Sequence, residues 1–368
     1  MSYTLDQDGN EIQEILNKAA SAIEEGTQEE HESPSGVEKL ARLDRLVDSP
    51  FANKGFKNHI INGNFDVWQR GTSFDTTGGN YCADRWRLGG ALPTQGTLLV
   101  TRQTFPLGQT DVPNNPRYFL NWSQTVASTT GHWFEQRIEG VRNFAGQTLT
   151  ISFYARLNSG TFPFVLDLVQ NFGTGGSPSP QVTTTVEPDG TLTDQWAKYT
   201  YTVAIPGISG KTLGTDGNDY LGLRFTTPVS GVWNVDFAQF QIEAGPIATP
   251  FEQRPVGMEL ALCQRYFWIL APGNGVGIAS GFIYSPTEAR YGILFPHQFR
   301  VAPAITYTGS WVAGHAPTNR LLDSLNFANI TNNSAYITGA RASGNMIEGN
   351  GSFLYTNDGG TIIFDAEL

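Results

Sequence analysis

From Asn58 onward the chain is written largely in period two, and this limits what it can fold into. Thr148 to Leu157 (TLTISFYARL) puts Leu149, Ile151, Phe153 and Ala155 on one face of an extended segment. Trp196 to Ile205 alternates in the same way, Phe162 to Val169 is a second apolar run, and Tyr220 to Phe225 and Val232 to Ile242 read as further strands. Clusters of Gly, Pro, Asn and Asp (PNNP, GTGGSPSP, EPDG, GTDGND) separate these runs. Strands at this spacing with no helices between them predict an antiparallel β-sandwich or jelly roll.

Composition agrees. The 41 Gly and 20 Pro punctuate turns, and 8 Trp, 13 Tyr and 23 Phe favour strands. Only 15% of the 368 residues are charged, against about 25% in an ordinary domain, so Thr, Ser, Asn and Gln must supply much of the surface. The net charge of -11 and the lack of a Lys/Arg cluster argue against nucleic acid as a partner. No apolar run is long enough to span a membrane. Met1 to Asn17 is polar and acidic, which predicts no secretory leader. Cys82 and Cys263 are too few and too far apart for a disulfide framework, so both are expected reduced and partly buried.

The reading is mainly β: short N-terminal helices, a β-sandwich jelly roll, and a smaller C-terminal β domain. Residues 1–52 carry two amphipathic stripes, Ile12/Leu16/Ala19/Ile23 and Val37/Leu40/Leu43/Val47. Helices this short need a partner surface, either their own β domain or a trimer or docking interface. Residues 53–250 form the jelly roll and 251–267 a linker helix on which Met258, Leu262 and Phe267 share a stripe. Residues 268–368 hold a further set of short strands.

Signs of catalysis are sparse. No two of the five His have metal-binding spacing, and no nucleophile elbow, phosphate loop or CxxC pair occurs. Asp167, Asp236 and Glu243 are strand carboxylates of the kind a glycosidase pairs, yet 34 acidic residues put several on strands by chance. The chain is therefore read as a non-enzymatic binding protein. Trp311, in the small-residue setting TGSWVAGHAP with His315, is expected to be exposed, with Arg320 and Arg341 on nearby loops. Gly63 to Asp66 together with Asp236 raise a calcium site, since hard cations take oxygens from separated segments. Asn62-Gly63 reads as a tight turn. Arg70 and Arg85, beside Trp68 and Trp86, are expected to form buried or stacked ion pairs with Asp84 or Glu243.

Three stretches carry a resemblance. NHIINGNFDVWQRGTSF…YCADRW (58 to 86), FAQFQIEAGPIATPFEQRPVGMELALCQRYF (237 to 267) and FPHQFRVAPAITYTG (295 to 309) are similar, in order and separation, to segments of phage tail fibres and related virion appendages. The resemblance implies a jelly-roll module, close to the galactose-binding-like fold of carbohydrate-binding modules. There an opening Asn-Gly-Asp turn and a closing-strand Asp often flank a structural calcium. Here the turn has Asn64 in place of the carboxylate, and the closing residue is Asp236. It further implies a homotrimer in the virion tail, made in the host cytoplasm. Its N-terminal segment would be attached to tail or baseplate proteins, and its distal domain would contact a host surface glycan or protein. A structural connector or capsid decoration protein, and a polysaccharide depolymerase, are the alternatives.

Overall fold

The alternating runs become strands close to where the pattern puts them. A computed structural model describes residues 56–75, 81–90, 98–127, 131–227 and 231–368. The helices expected within residues 1–52 lie outside these. A six-stranded sheet has the order β1 (Ser73–Asp75), β3 (Leu98–Thr104), β4 (Tyr118–Gln124), β11 (Trp233–Ala244), β6 (Thr148–Gly160), β9 (Ala197–Ala204). A five-stranded sheet has the order β2 (Trp86–Gly90), β5 (His132–Glu139), β10 (Tyr220–Thr226), β7 (Phe164–Asn171), β8 (Val182–Gly190). All the pairings are antiparallel. From β4 to β11 the chain crosses repeatedly between the sheets, as in a jelly roll.

Leu149, Ile151, Phe153 and Ala155 all face the interior and are fully buried. They meet an aromatic core in which Phe153 stacks on Phe240 at 5.1 Å and Trp86 on Phe134 at 4.6 Å. Each such ring contributes about 1.5–3 kcal/mol by leaving water.

The expected linker helix is α1 (Val256–Gln264), but its buried stripe differs from the expected one. Glu259 and Cys263 face inward and Met258 is exposed, while Phe267 has already entered a strand. Glu259 turns inward because it accepts hydrogen bonds from Arg254 (3.1 Å) and from the Asn62 main-chain N–H. Those partners satisfy a buried carboxylate that periodicity alone places outside.

Beyond α1 lies a second pair of sheets with its own core. The smaller has β12 (Phe267–Leu270), β21 (Ile362–Asp365) and β15 (Ala304–Tyr307) in that order. The larger has β17 (Arg320–Leu321), β16 (Trp311–Gly314), β20 (Gly351–Thr356), β13 (Gly277–Ser285), β14 (Glu288–Leu294), β19 (Ser334–Ala340) and β18 (Ser324–Ala328). Phe364, Ile362, Trp268 and Ile305 of the first pack on Ile283, Tyr291, Ile337 and Leu354 of the second. Lys57 to Leu368 forms one compact unit that holds both of these cores and a small third cluster of Phe105, Val112, Phe119 and Ala238.

Both cysteines are free and fully buried. Burial pushes the Cys82 thiol up to about 12 and raises Cys263 as well. Neither is expected to react with Ellman's reagent until the protein is denatured. Prompt labelling of the native protein would contradict this packing.

Candidate functional site

The motif residues between Asn62 and Trp86 build a joint. Asn62 takes a left-handed conformation (φ 57°) and bonds on several sides. Its Nδ2 donates to the carbonyls of Val67 (2.8 Å) and Asp84 (3.0 Å), its Oδ1 accepts from Val67 N (2.9 Å), and its own carbonyl accepts from Trp86 Nε1 (3.1 Å). Gly63 is required by crowding, because a Cβ there would sit 2.2 Å from the Phe240 carbonyl oxygen. Trp68, also buried, donates from Nε1 to the Phe65 carbonyl (2.6 Å).

Of the expected ion pairs, Arg70 does face Asp84 (3.9 Å), but Glu243 takes no part. Glu243 instead accepts from Thr249 N (2.8 Å) and Gln241 Nε2 (3.0 Å). The main partner comes from the far end of the chain. Glu367 binds both Arg85 and Arg70, the latter at 3.1 Å. Arg70 lies 3.3 Å over the Phe267 ring and Arg85 3.5 Å over Tyr266, so both guanidiniums are stacked. Burial is the largest influence on the Glu367 carboxyl and raises it above its ordinary range, while Arg85 and Arg70 pull it down. Tyr81, pushed up to about 12 by burial, keeps its proton and donates to the Leu368 main-chain oxygen (2.8 Å). The motif thus clamps the last residues of the second β unit to the first. A cavity of about 500 Å³ opens beside the clamp, lined by Arg70, Phe74, Tyr81 and Arg87 among others.

The residues expected at a calcium site are held by neighbouring side chains. Asp236 is held by Arg156 Nε (2.8 Å) and Asn121 Nδ2 (2.7 Å), whereas Asn64 bonds Asp66 (3.2 Å). Among the described residues no three His, Cys, Asp or Glu group together as metal ligands. Asp167, the third strand carboxylate, accepts from Thr185 Oγ1 (2.8 Å).

In the second unit the expected exposure of Trp311 is corrected, while Arg341 lies just past β19 in a loop, as expected. Trp311 is 2% exposed, and its Nε1 donates to the Thr308 carbonyl (2.9 Å). Its small neighbours suggest a loop, yet they belong to β16, which runs between β17 and β20. His315 is also buried, its Nδ1 3.1 Å from the Ala316 carbonyl. Arg320 and Arg341 are brought together, but as ties: Arg320 Nε donates to the Asn345 carbonyl (3.1 Å) and Arg341 Nε to the Gly344 carbonyl (3.1 Å).

The outward face of the seven-stranded sheet carries the aromatics that sequence reading missed. Phe282, Tyr284 and Phe353 are 45%, 47% and 45% exposed. Cross-strand pairs place them on one face: Phe282 is opposite Arg290, and Phe353 is opposite Ser280 and Gly314. Gly314 makes room for the Phe353 ring, which a Cβ would meet at 2.5 Å. Tyr355 stacks on Phe353 at 5.4 Å, and the Arg290 guanidinium lies 3.2 Å over the Tyr284 ring. The segment GFIYS held a clue: Phe282 and Tyr284 flank the core residue Ile283, so both faces of the strand are apolar.

No protein-family model and no curated protein matches this sequence. Solved structures give distant matches. The enzymatically active domain of Bacteriophage CBA120 tailspike protein 4 matches at 12% identity and TM-score 0.32, over 51% of this chain and 21% of that one. The CBM22-1 xylan-binding domain from Paenibacillus barcinonensis Xyn10C matches at 13% identity and TM-score 0.30, over 53% of this chain and 100% of that one. A cyclase from Fischerella sp. TAU matches at 16% identity and TM-score 0.34, over 53% of this chain and 100% of that one.

Proposed function

We propose that this chain is an adhesive protein of a phage tail, which attaches to a host surface glycan through the outward face of its seven-stranded sheet. The observation that carries the reading is the open aromatic face of Phe282, Tyr284 and Phe353. Large apolar rings gathered on one surface mark an interaction site. Flat rings beside an arginine suit the apolar face and hydroxyls of a sugar. The phage setting rests on the motifs at 58–86, 237–267 and 295–309. In this reading the role is adhesion without catalysis, residues 1–52 attach the protein to the tail as a homotrimer, and avidity strengthens weak single contacts.

The test keeps the chain whole, because removing the second unit would also remove Glu367 and strip Arg70 and Arg85 of their partner. Full-length protein and a Tyr284→Ala/Phe353→Ala variant are assayed on whole bacterial cells and a surface-glycan panel. The expected result is binding by the parent and at least about a tenfold loss in the variant, the loss of two stacking rings being worth about 1–3 kcal/mol. Undiminished binding by a folded variant would move the site off this face. Absence of binding by both proteins would favour the structural connector.

A further inference from the structure

Between the aromatic side chains of the seven-stranded sheet the floor is open. Outward positions line up across the strands. Gly314 of β16, Phe353 of β20 and Ser280 of β13 form one run of partners, and Gly292 of β14, Tyr336 of β19 and Ala328 of β18 form another. Ser280 and Gly292 each lie two residues along from the Phe282–Arg290 pair, so alternation sets them side by side and joins the runs. Nothing lies within 4 Å of where a Gly292 Cβ would be, and the Phe353 ring leans away from it, over Gly314. The result is a shallow trough floored by Ser280 and Gly292. Phe353 stands on one side, Tyr336 on the other, and Leu294, 82% exposed, at one end. Strands about 4.8 Å apart put the two walls roughly 14 Å apart at the backbone, which leaves room for a sugar ring between the side chains.

The strands around the trough carry almost no charge. β13, β14, β16, β18, β19 and β20 together contain two charged residues, Glu288 and Arg290. These two satisfy each other: Arg290 Nε donates to Glu288 Oε1 (2.5 Å), and the guanidinium is stacked on Tyr284. The polar groups beside the trough are neutral. They are the hydroxyls of Ser280 and of Thr338, which is opposite Arg290, and the amide of Asn326, opposite Thr338.

We propose, on the reading that this face binds a glycan, that the trough seats a neutral hexose chain lying flat on Ser280 and Gly292. A carboxylate or phosphate on the sugar would lose water here, and the one cation of these six strands is already held by Glu288. A neutral pyranose avoids that cost. Its C–H face meets the rings, and its hydroxyls reach Ser280, Thr338 and Asn326. Gly292 decides the fit, because a side chain there would stand in the place of the sugar.

The test is calorimetric titration of the full chain with β-linked tetramers of glucose and of galactose and with the matching glucuronate and galacturonate tetramers, beside binding to whole bacterial cells. A neutral tetramer is expected to bind at least about ten times more tightly than its acidic counterpart. Gly292→Val fills open space with a residue that favours strands. It is expected to weaken that binding about tenfold or more without lowering the melting temperature. Thr200→Val, a comparable change on the exposed side of β9, should leave binding unchanged. Should Gly292→Val melt early, the parent protein's preference between the tetramers still decides. Equal or tighter binding of the acidic tetramers, or full binding by folded Gly292→Val, would overturn the proposal. Whole cells separate it from the broader reading. Cells bound normally by Gly292→Val but poorly by Tyr284→Ala/Phe353→Ala would keep the face and reject the trough. Cells bound normally by both variants would reject the face itself. Cells bound through the face while no tetramer binds would give it another occupant, such as a protein, and reject the neutral hexose chain.

Discussion

Replacing Arg85 by alanine is expected to destabilise the protein by about 3 kcal/mol, the cost of breaking a buried ion pair and leaving Glu367 with only the partly exposed Arg70. Arg85 is 1% exposed, pairs with Glu367, donates to the Arg137 carbonyl (2.5 Å) and covers Tyr266. Its loss leaves Glu367 in a site where burial already raises its pKa. Glu367 would then hold a proton in the folded state at a pH where the unfolded chain has released it. A carboxyl with a raised folded pKa contributes stability that is present below the unfolded value and is lost as pH rises through the folded one. Denaturant titrations of Arg85→Ala should therefore show a smaller defect at acidic than at neutral pH. Adding Glu367→Gln should remove the extra pH dependence and recover part of the stability. A defect equal at both pH values, unchanged by the second substitution, would mean that stacking on Tyr266 matters and the charge does not.

Trp86→Ala is expected to cost a similar amount, about 3–5 kcal/mol, by a different route. Trp86 is fully buried, stacked on Phe134 (4.6 Å, 8°) and tilted against Phe240 at 4.8 Å. Its removal opens a void between the sheets and leaves the Asn62 carbonyl without the indole donor. Trp86→Phe should recover most of the packing but not that hydrogen bond. Because no charge is involved, the Trp86→Ala defect should vary little with pH, which separates it from that of its neighbour. A loss below about 1 kcal/mol would show that the surrounding rings collapse into the void, since the cost depends on how completely a site relaxes.

What could be read from the sequence follows from distance along the chain. The strand at Thr148–Gly160 and its four buried residues are legible because alternation is a property of neighbouring residues. Arg70 and Asp84 were within reach because the motif brings them close. Arg85's acid was not: its partner is 282 positions away, and Glu243 was as good a candidate on composition. Trp311 failed for a related reason. Small neighbours argue for a loop when read locally, but in the sheet they are what lets Phe353 lie across Gly314.

The sequence by itself determined the class of fold, mainly β with sandwich strands, because pleating turns a two-residue period directly into a buried and an open face. It also marked the segment from Asn62 to Trp86 as structural, through turn residues and arginines beside tryptophans in a chain poor in charge. The tertiary structure alone decided which side of each strand meets water once both sides are apolar, as at Phe282, Ile283 and Tyr284. It alone also decided that the motif closes on Glu367 and Leu368. Exposure and ion pairing depend on which distant segments pack together, and no local period encodes that.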